Sequence, residues 1–255
     1  MTAFKAFIIG FVQGLTEFFP ISSSLHVKLV SNFLEIENSL TVALFCHLAT
    51  SFSVLFYFRK TILDLLLNRK RDILLYLVAI CPLILVYFTL GKMIKGISDA
   101  YLGPSLVITS AFLFTLKEKK ASVLVTPEGK TLSFYKKSQD AFFIGFFQSL
   151  ALIPGLSRSA LTLKAATARG WSLKDAFCFS YLLSVPTVWG GCLLEFSHIG
   201  SVEYFPLFLA FTTAFFVGCF GLYLINLILF HKKVFLFGFY CLFLGLVLSV
   251  YRWVL

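Results

Sequence analysis

Apolar residues run in long blocks along this chain, and polar residues punctuate the blocks. Six segments qualify, or nearly so, as membrane-crossing helices: Leu40–Phe58, Ile73–Leu90, Ala100–Leu116, Ala176–Leu194, Phe205–Phe230 and Val234–Val254. A helix needs about 20 mostly apolar residues to cross the hydrocarbon core. Each block is bounded by charge or by Gly and Pro. Two further regions, Ala3–Glu35 and Ala141–Arg169, are apolar but broken by a proline and a serine cluster. Neither half of either region is long enough to span comfortably. Broken helices are tolerated at membrane depth where they line a protein-enclosed cavity, so each region reads as a re-entrant helical hairpin. The pattern predicts an all-α polytopic membrane protein of six full spans plus two hairpins.

The two broken regions resemble each other. Placing residues 6–24 over 141–159 without gaps sets AFIIGFVQGLTEFFPISSS over AFFIGFFQSLALIPGLSRS, with nine identities in nineteen positions. Two Phe-rich stretches match at Phe by chance, but not at Gly10/Gly145, Gln13/Gln148, Ser22/Ser157 and Ser24/Ser159. Such self-similarity marks an internal duplication. A re-entrant hairpin returns to the side it entered, and three spans separate the two. The second hairpin therefore enters from the opposite face, and the halves are expected to be inverted-topology repeats. The division is one membrane domain, 1–255, with a first repeat over 1–116, a cytoplasmic connector over 117–139 and a second repeat over 140–255.

Composition agrees with this and narrows it. Hydrophobic residues make up 59% of the chain and charged residues 13%, against roughly 45–50% and 25% in soluble domains. Mean hydropathy is +0.91. Disorder, collagen, a coiled coil and a disulfide-rich secreted scaffold are excluded. The net charge of +10 reports topology rather than a nucleic-acid partner. On the expected topology, fifteen Lys and Arg fall on the side opposite the N-terminus and five on the N-terminal side, leaving Arg158 and Lys164 in the second hairpin. Positive charge concentrates in cytoplasmic loops, so both termini are expected to face outward. Residues 1–12 superficially resemble a signal peptide, but no small-residue cleavage site follows, and the segment is expected to be retained. The six cysteines lie in apolar stretches without a CxxC pair and read as small buried thiols.

Chemistry gathers in the hairpins. Gln13 and Glu17 are four apart and share a helix face. Ser22, Ser23, Ser24 and His26 follow at the start of the next helix, where Ser22 or Ser23 can cap it. A carboxylate, hydroxyls and an imidazole are expected to converge at one tip. Ionisable groups at membrane depth are costly and mark function by default; the alternative is that Glu17 faces outer solvent and the serines only cap. In the second hairpin, Pro154-Gly155 makes a turn and Ser157 or Ser159 can cap the next helix. The start of that helix is an anion site. Arg158 brings a guanidinium fork suited to phosphate oxygens, or it pairs with Glu17. Ser157, Ser159 and Thr162 complete a phosphate cradle, with Gln148 in support. An acidic tip facing a cationic one points to phosphoryl chemistry on a membrane-embedded substrate, with Ser23 or water as nucleophile and Glu17 or His26 as proton acceptor. A divalent ion held by Glu17 and a diphosphate fits the habit of Mg²⁺. His47, near the outer end of the first full span, either joins this site or is a packed, hydrogen-bonded histidine.

QGLTEFFPISSSLH and PGLSRSALT resemble the two signature segments of the undecaprenyl-diphosphate phosphatase family, the bacitracin-resistance type. The resemblance runs over the whole chain, including VALFCHLATSFSVLFYFR. It implies release of phosphate from the C55 lipid diphosphate, recycling the monophosphate carrier for cell-wall synthesis. It also implies a divalent cation (Mg²⁺ or Ca²⁺), a bacterial plasma-membrane location and a site open to the outer face. On the matching positions it makes Glu17 the essential carboxylate, Ser23 the nucleophilic hydroxyl, His26 the base and Arg158 the phosphate ligand. Ser22, Ser24, Ser157, Ser159 and Thr162 then line the site. Three positions depart from the pattern. Gln13 stands at the first acidic position, so a metal site leans on Glu17. Leu25 and Ala160 replace usual glycines and are expected to narrow the tips. Acid-phosphatase-like lipid phosphatases are disfavoured, because they need His six residues after the Arg, where Lys164 stands here. The expected partners are the polyprenyl diphosphate and membrane lipids, with a homodimer left open. A lipid-phosphate transporter or flippase using the same anion site is the rival reading. It has no need of a nucleophile or a base.

Overall fold

The computed structural model describes residues 1–36, 38–97, 99–116, 133–200, 203–231 and 233–254. These residues form eleven α-helices and no strand: α1 (Ala3–Thr16), α2 (Ser23–Phe33), α3 (Ser39–Tyr57), α4 (Arg59–Leu67), α5 (Lys70–Lys95), α6 (Leu102–Phe114), α7 (Phe134–Leu150), α8 (Arg158–Ala168), α9 (Leu173–Leu194), α10 (Tyr204–Phe230) and α11 (Phe235–Val254). Each broken region is a helix, a turn and a shorter helix: α1–α2 and α7–α8.

Helices α3, α5, α9 and α10 are long and apolar enough to cross a membrane by themselves. The other two expected spans, α6 and the stretch Phe235–Val250 of α11, are shorter apolar pieces. Large apolar side chains such as Phe88, Phe208, Phe216 and Phe243 are exposed on the helix surfaces. Soluble monomers rarely expose so much contiguous apolar surface, so the fold is that of a multi-pass membrane protein. Cys46 and Cys241 are buried, whereas Cys81 is exposed on α5, which corrects the expectation for that thiol.

Two boundaries differ from the sequence reading. The charge that bounds the first apolar block at its C-terminal end opens a further helix, α4. Arg69 closes this corner on Asp72 through Nε and Nη2 at 2.9 and 2.6 Å. Helix α7 begins at Phe134, inside the expected connector, because Ser133 caps it by accepting from the Lys136 N–H at 3.3 Å. The rest of that connector, 117–132, lies outside the described residues.

The hairpins pack on helices of the opposite half. Helix α1 lies along α10, and α7 lies along α5. At both crossings a glycine lets backbones meet: Gly10 faces the Ala210 carbonyl and Gly145 the Ala79 carbonyl. Small residues at helix crossings are how membrane helices achieve close approach. Helices α6 and α11 pair in the same reciprocal way, with Gly103 against Ser249 and Gly238 against the Phe114 ring. The 135-residue offset that aligns the hairpins carries Gly103 onto Gly238 and Phe114 onto Ser249. Helices α3 and α9 pack together and carry side chains of the cavity between the hairpins. The fully buried Asp140 ties α7 to the α8–α9 turn, accepting from Arg169 Nε at 2.6 Å and Trp171 Nε1 at 3.1 Å.

Candidate active site

Helix α1 ends at Glu17, whose N–H donates to the Gln13 carbonyl at 2.9 Å. The chain then turns through Phe18–Ser22, where backbone carbonyls have no helix to satisfy them. In a water-poor interior such groups must find partners. Side chains supply them. The Tyr181 hydroxyl donates to the Phe18 carbonyl, and Ser159 Oγ to the Phe19 carbonyl at 3.3 Å. Cys241 Sγ reaches the Pro20 carbonyl at 3.7 Å, and His26 Nδ1 the Ser22 carbonyl at 2.8 Å. Ser22 itself sits at φ 68°, a left-handed conformation that non-glycine residues rarely adopt. Its Oγ is buried without a partner. Ser22 therefore holds the N-cap position of α2 without making the side-chain cap expected there.

The second tip turns at Gly155, with φ 90°. Here the expected cap is made: Ser157 Oγ accepts from the Ala160 N–H at 3.4 Å. The Ser157 N–H donates to Thr109 Oγ1 on α6 at 3.2 Å. Helices α2 and α8 thus start beside one another, both with N-termini at the same cavity.

Glu17 is the hub between the tips. One carboxylate oxygen, Oε1, lies 2.5 Å from Arg158 Nη2. The other, Oε2, accepts from Ser23 Oγ at 2.6 Å and from Gln13 Nε2 at 2.9 Å. His47 Nδ1 lies 3.2 Å from the same oxygen and 2.9 Å from Gln13 Nε2. Glu17 is almost fully buried. The acidic and cationic tips meet as expected, and His47 joins them.

A cavity of 380 Å³ opens at this cluster. Glu17, Ser22, Ser23, Ser24, His47, Gln148, Ser157, Arg158 and Ser159 line its polar end. Ile84 and Phe88 of α5, Leu152 of the α7–α8 turn and Leu194 of α9 form an apolar wall. Three expected site residues lie elsewhere. Gln13 is buried behind Glu17. Thr162 is buried and bonds the Arg158 carbonyl at 2.9 Å and Ser180 Oγ at 2.5 Å. His26 turns away from Ser23, with Nε2 2.6 Å from the Tyr240 hydroxyl. The expected convergence of imidazole and serine is met by His47 on α3, not by His26. Leu25 and Ala160 are buried in the hydrophobic core and do not line the cavity, so they do not narrow it as expected.

Among the described residues, no three His, Cys, Asp or Glu side chains cluster as a closed metal site. The donors present are the Glu17 carboxylate, His47, and Gln148 Oε1, which is buried without a partner. That set fits a cation shared between one carboxylate and substrate phosphates, the usual manner of Mg²⁺.

Residues 6–247 match the family model described as "Bacitracin resistance protein BacA". The chain belongs to this family. Curated relatives named undecaprenyl-diphosphatase include one from Protochlamydia amoebophila (strain UWE25), 34% identical over 98% of this chain and 99% of its own length. Another, from Methanococcus vannielii, is 32% identical over 96% and 98%. A third, from Thermosipho africanus (strain TCF52B), is 29% identical over 94% and 96%. Within this BacA-family chain, sequence reasoning overlooked Tyr181, Tyr240 and Thr109, which hold the tips, and Thr187 on α9, whose Oγ1 accepts from Gln148 Nε2 at 3.3 Å. The one available signal was that a tyrosine in an apolar span needs a partner for its hydroxyl.

Proposed function

We propose that this protein hydrolyses undecaprenyl diphosphate to undecaprenyl phosphate and inorganic phosphate, renewing the lipid carrier of cell-wall synthesis and so conferring bacitracin resistance. The observation that carries the mechanism is the shared carboxylate: Ser23 Oγ donates to one Glu17 oxygen at 2.6 Å while Arg158 holds the other at 2.5 Å. A hydroxyl already directed at a base is the arrangement that activates a nucleophile. The terminal phosphate sits at the convergent starts of α2 and α8, where unpaired N–H groups and the helix dipoles favour an anion. Arg158 turns its fork onto the phosphate oxygens. Ser23 Oγ attacks the terminal phosphorus as its proton passes to Glu17. The bond from that phosphorus to the bridging oxygen breaks, and undecaprenyl phosphate leaves with the electron pair. Glu17 gives the proton it took to the departing phosphate oxygen; water then attacks the phosphoserine phosphorus as its proton passes to Glu17, the P–Oγ bond breaks, and Glu17 returns that proton to Ser23 Oγ. Direct attack by water activated on Glu17 is the variant route.

Glu17 takes the role of base here rather than His26, because His26 has both ring nitrogens engaged away from Ser23. Gln13 and His47 hold the Glu17 carboxylate in place. Glu17 with His47 or Gln148 would hold a Mg²⁺ or Ca²⁺ ion, which would supply further neutralisation of the diphosphate charge. The apolar wall of α5 and α9 suits the isoprenoid chain, which stays in the lipid.

The reciprocal crossings Gly10–Ala210 and Gly145–Ala79 support two inverted repeats, with α1–α2 and α7–α8 as re-entrant hairpins and α6 and α11 completing six spans. The charge asymmetry supports a plasma-membrane orientation with both termini and the site toward the outer face. The transporter alternative gains no support from the relatives, whose printed name is that of a hydrolase. The test is phosphate release from C55 diphosphate by purified protein, with and without EDTA. Release that EDTA suppresses and Mg²⁺ or Ca²⁺ restores is expected. No release under any metal condition overturns the assignment.

A further inference from the structure

Ser22 presents Ser23 to Glu17 from a backbone conformation that serine resists. Left-handed φ is unfavourable for residues with a Cβ, and such strain persists only where surrounding contacts hold it. At Ser22 the side chain contributes nothing to this hold, since its Oγ is buried and unpartnered. The carbonyl does. It accepts from the His26 backbone N–H at 3.3 Å and from His26 Nδ1 at 2.8 Å. A carbonyl can only accept, so Nδ1 carries the proton. In the neutral ring Nε2 is then an acceptor, and the Tyr240 hydroxyl, 2.6 Å away, donates to it. The rings also stack, with centroids 5.7 Å apart and planes inclined by 20°. Tyr240 stands on α11, which also supplies Cys241 to the Pro20 carbonyl and Phe237 against Phe19, at 5.0 Å between ring centroids.

We infer that Tyr240 is a positioning residue, which fixes the tautomer and orientation of His26 so that His26 pins the Ser22 carbonyl and aims Ser23 at Glu17. His26 acts through the backbone and takes no proton from the nucleophile, because its one lone pair is committed to Tyr240. Helix α11 of one half thereby sets the nucleophile of the other. The inference rests on the phosphatase reading only for its kinetic readout.

The experiment is a double-mutant cycle on purified full-length protein, using C55 diphosphate, together with ¹⁵N-histidine NMR in detergent. His26→Ala and Tyr240→Phe are expected to lower kcat, roughly ten-fold or more for His26→Ala, since strained residues of this kind store energy of that order. KM should stay within about two-fold. The same two substitutions made in a Ser22→Gly background should cost less than about three-fold, because glycine adopts the left-handed turn without being held. Whatever Ser22→Gly costs alone cancels within the cycle. Equal losses in both backgrounds would show His26 acting as a base and overturn the inference, as would a Tyr240→Phe variant identical to wild type. NMR should show His26 as the Nδ1–H tautomer, with an Nε2 shift that changes in Tyr240→Phe. An Nε2–H tautomer overturns the inference. Should the wild type release no phosphate, the phosphatase reading fails by itself and the NMR arm still decides.

Discussion

Arg158 Nη2 lies 2.5 Å from Glu17 Oε1 across 141 residues of chain. This pair joins the two tips and sets the resting charge of the site near zero. A diphosphate brings several negative charges, and the guanidinium can meet them while Glu17 stays bound to Ser23, Gln13 and His47. The pair is also structural. Removing one partner of a buried ion pair leaves the other uncompensated, a cost of about 3–5 kcal/mol, so conservative substitutions are the informative ones.

Glu17→Gln keeps the shape but offers one acceptor oxygen where the carboxylate offers two, to Arg158 and to Ser23 with Gln13, and it cannot take a proton. Phosphate release should fall at least 100-fold, since general base catalysis contributes roughly 10²–10⁴. Steady-state phosphate assays on folded, monodisperse variant check this. Residual activity above about a tenth of wild type would remove Glu17 from proton transfer.

Arg158→Lys keeps the charge and loses the planar fork, which at a bidentate site is not a conservative exchange. Activity should drop at least ten-fold while the melting temperature moves little. Arg158→Ala should be worse in both respects. Cysteines placed at Ser23 and Arg158 should crosslink with a reagent spanning about 10 Å, beyond the roughly 7 Å Cα limit of a direct disulfide. Full activity of the lysine variant with no crosslink would separate Arg158 from the phosphate site.

Gly145→Ala places a Cβ onto the Ala79 carbonyl. Overpacking of this kind costs about 1–3 kcal/mol, so the melting temperature should fall by roughly 2–10 °C. Gly190→Ala, where a Cβ meets nothing within 4 Å, should leave stability unchanged or raise it by about 0.5–1 kcal/mol. A thermal-shift series in detergent compares them. Equal effects would mean that the α7–α5 crossing is not tight.

The charge asymmetry makes a topological prediction. A cysteine at the exposed Lys60 on α4 should resist an impermeant thiol reagent in intact cells, and one at Lys92 near the end of α5 should react. The background is a variant without Cys81, the exposed native thiol. The reverse labelling pattern would invert the orientation.

Block lengths and breaks in the sequence were enough to locate the four long apolar helices and the helix–turn–helix breaks at Phe18–Ser22 and Ala151–Ser157, because burial in lipid demands long apolar runs whatever the tertiary contacts. Gly10 and Gly145, matched in the sequence alignment of the two broken regions, meet the same constraint, a carbonyl from a crossing helix. Helix α4 was not legible, since its charged start marks only the end of an apolar block until Arg69 and Asp72 close the corner. Glu17, Ser23 and Arg158 were found because their chemistry is rare in apolar sequence. His26 was misplaced because helical spacing shows which residues share a face, not which way an imidazole turns once a tyrosine 214 positions away accepts its company. Such long-range partners leave no local pattern. For the same reason Thr162, well spaced for a cradle, proved to be a brace between α8 and α9 through Ser180.

The crossed packing of the two halves has a consequence for biogenesis. Helix α1 is among the first segments to leave the ribosome, yet the helix it lies along, α10, begins at Tyr204. At about 5–20 residues per second, α1 waits on the order of 10–40 seconds for its partner, its glycine face open to whatever else the membrane offers. A chain truncated before α10 holds every residue of the Glu17–Ser23–Arg158 cluster and still cannot seat the helix that ends at Glu17. The seating of α1, and with it the placement of Glu17, therefore waits for the last fifth of the chain to be made.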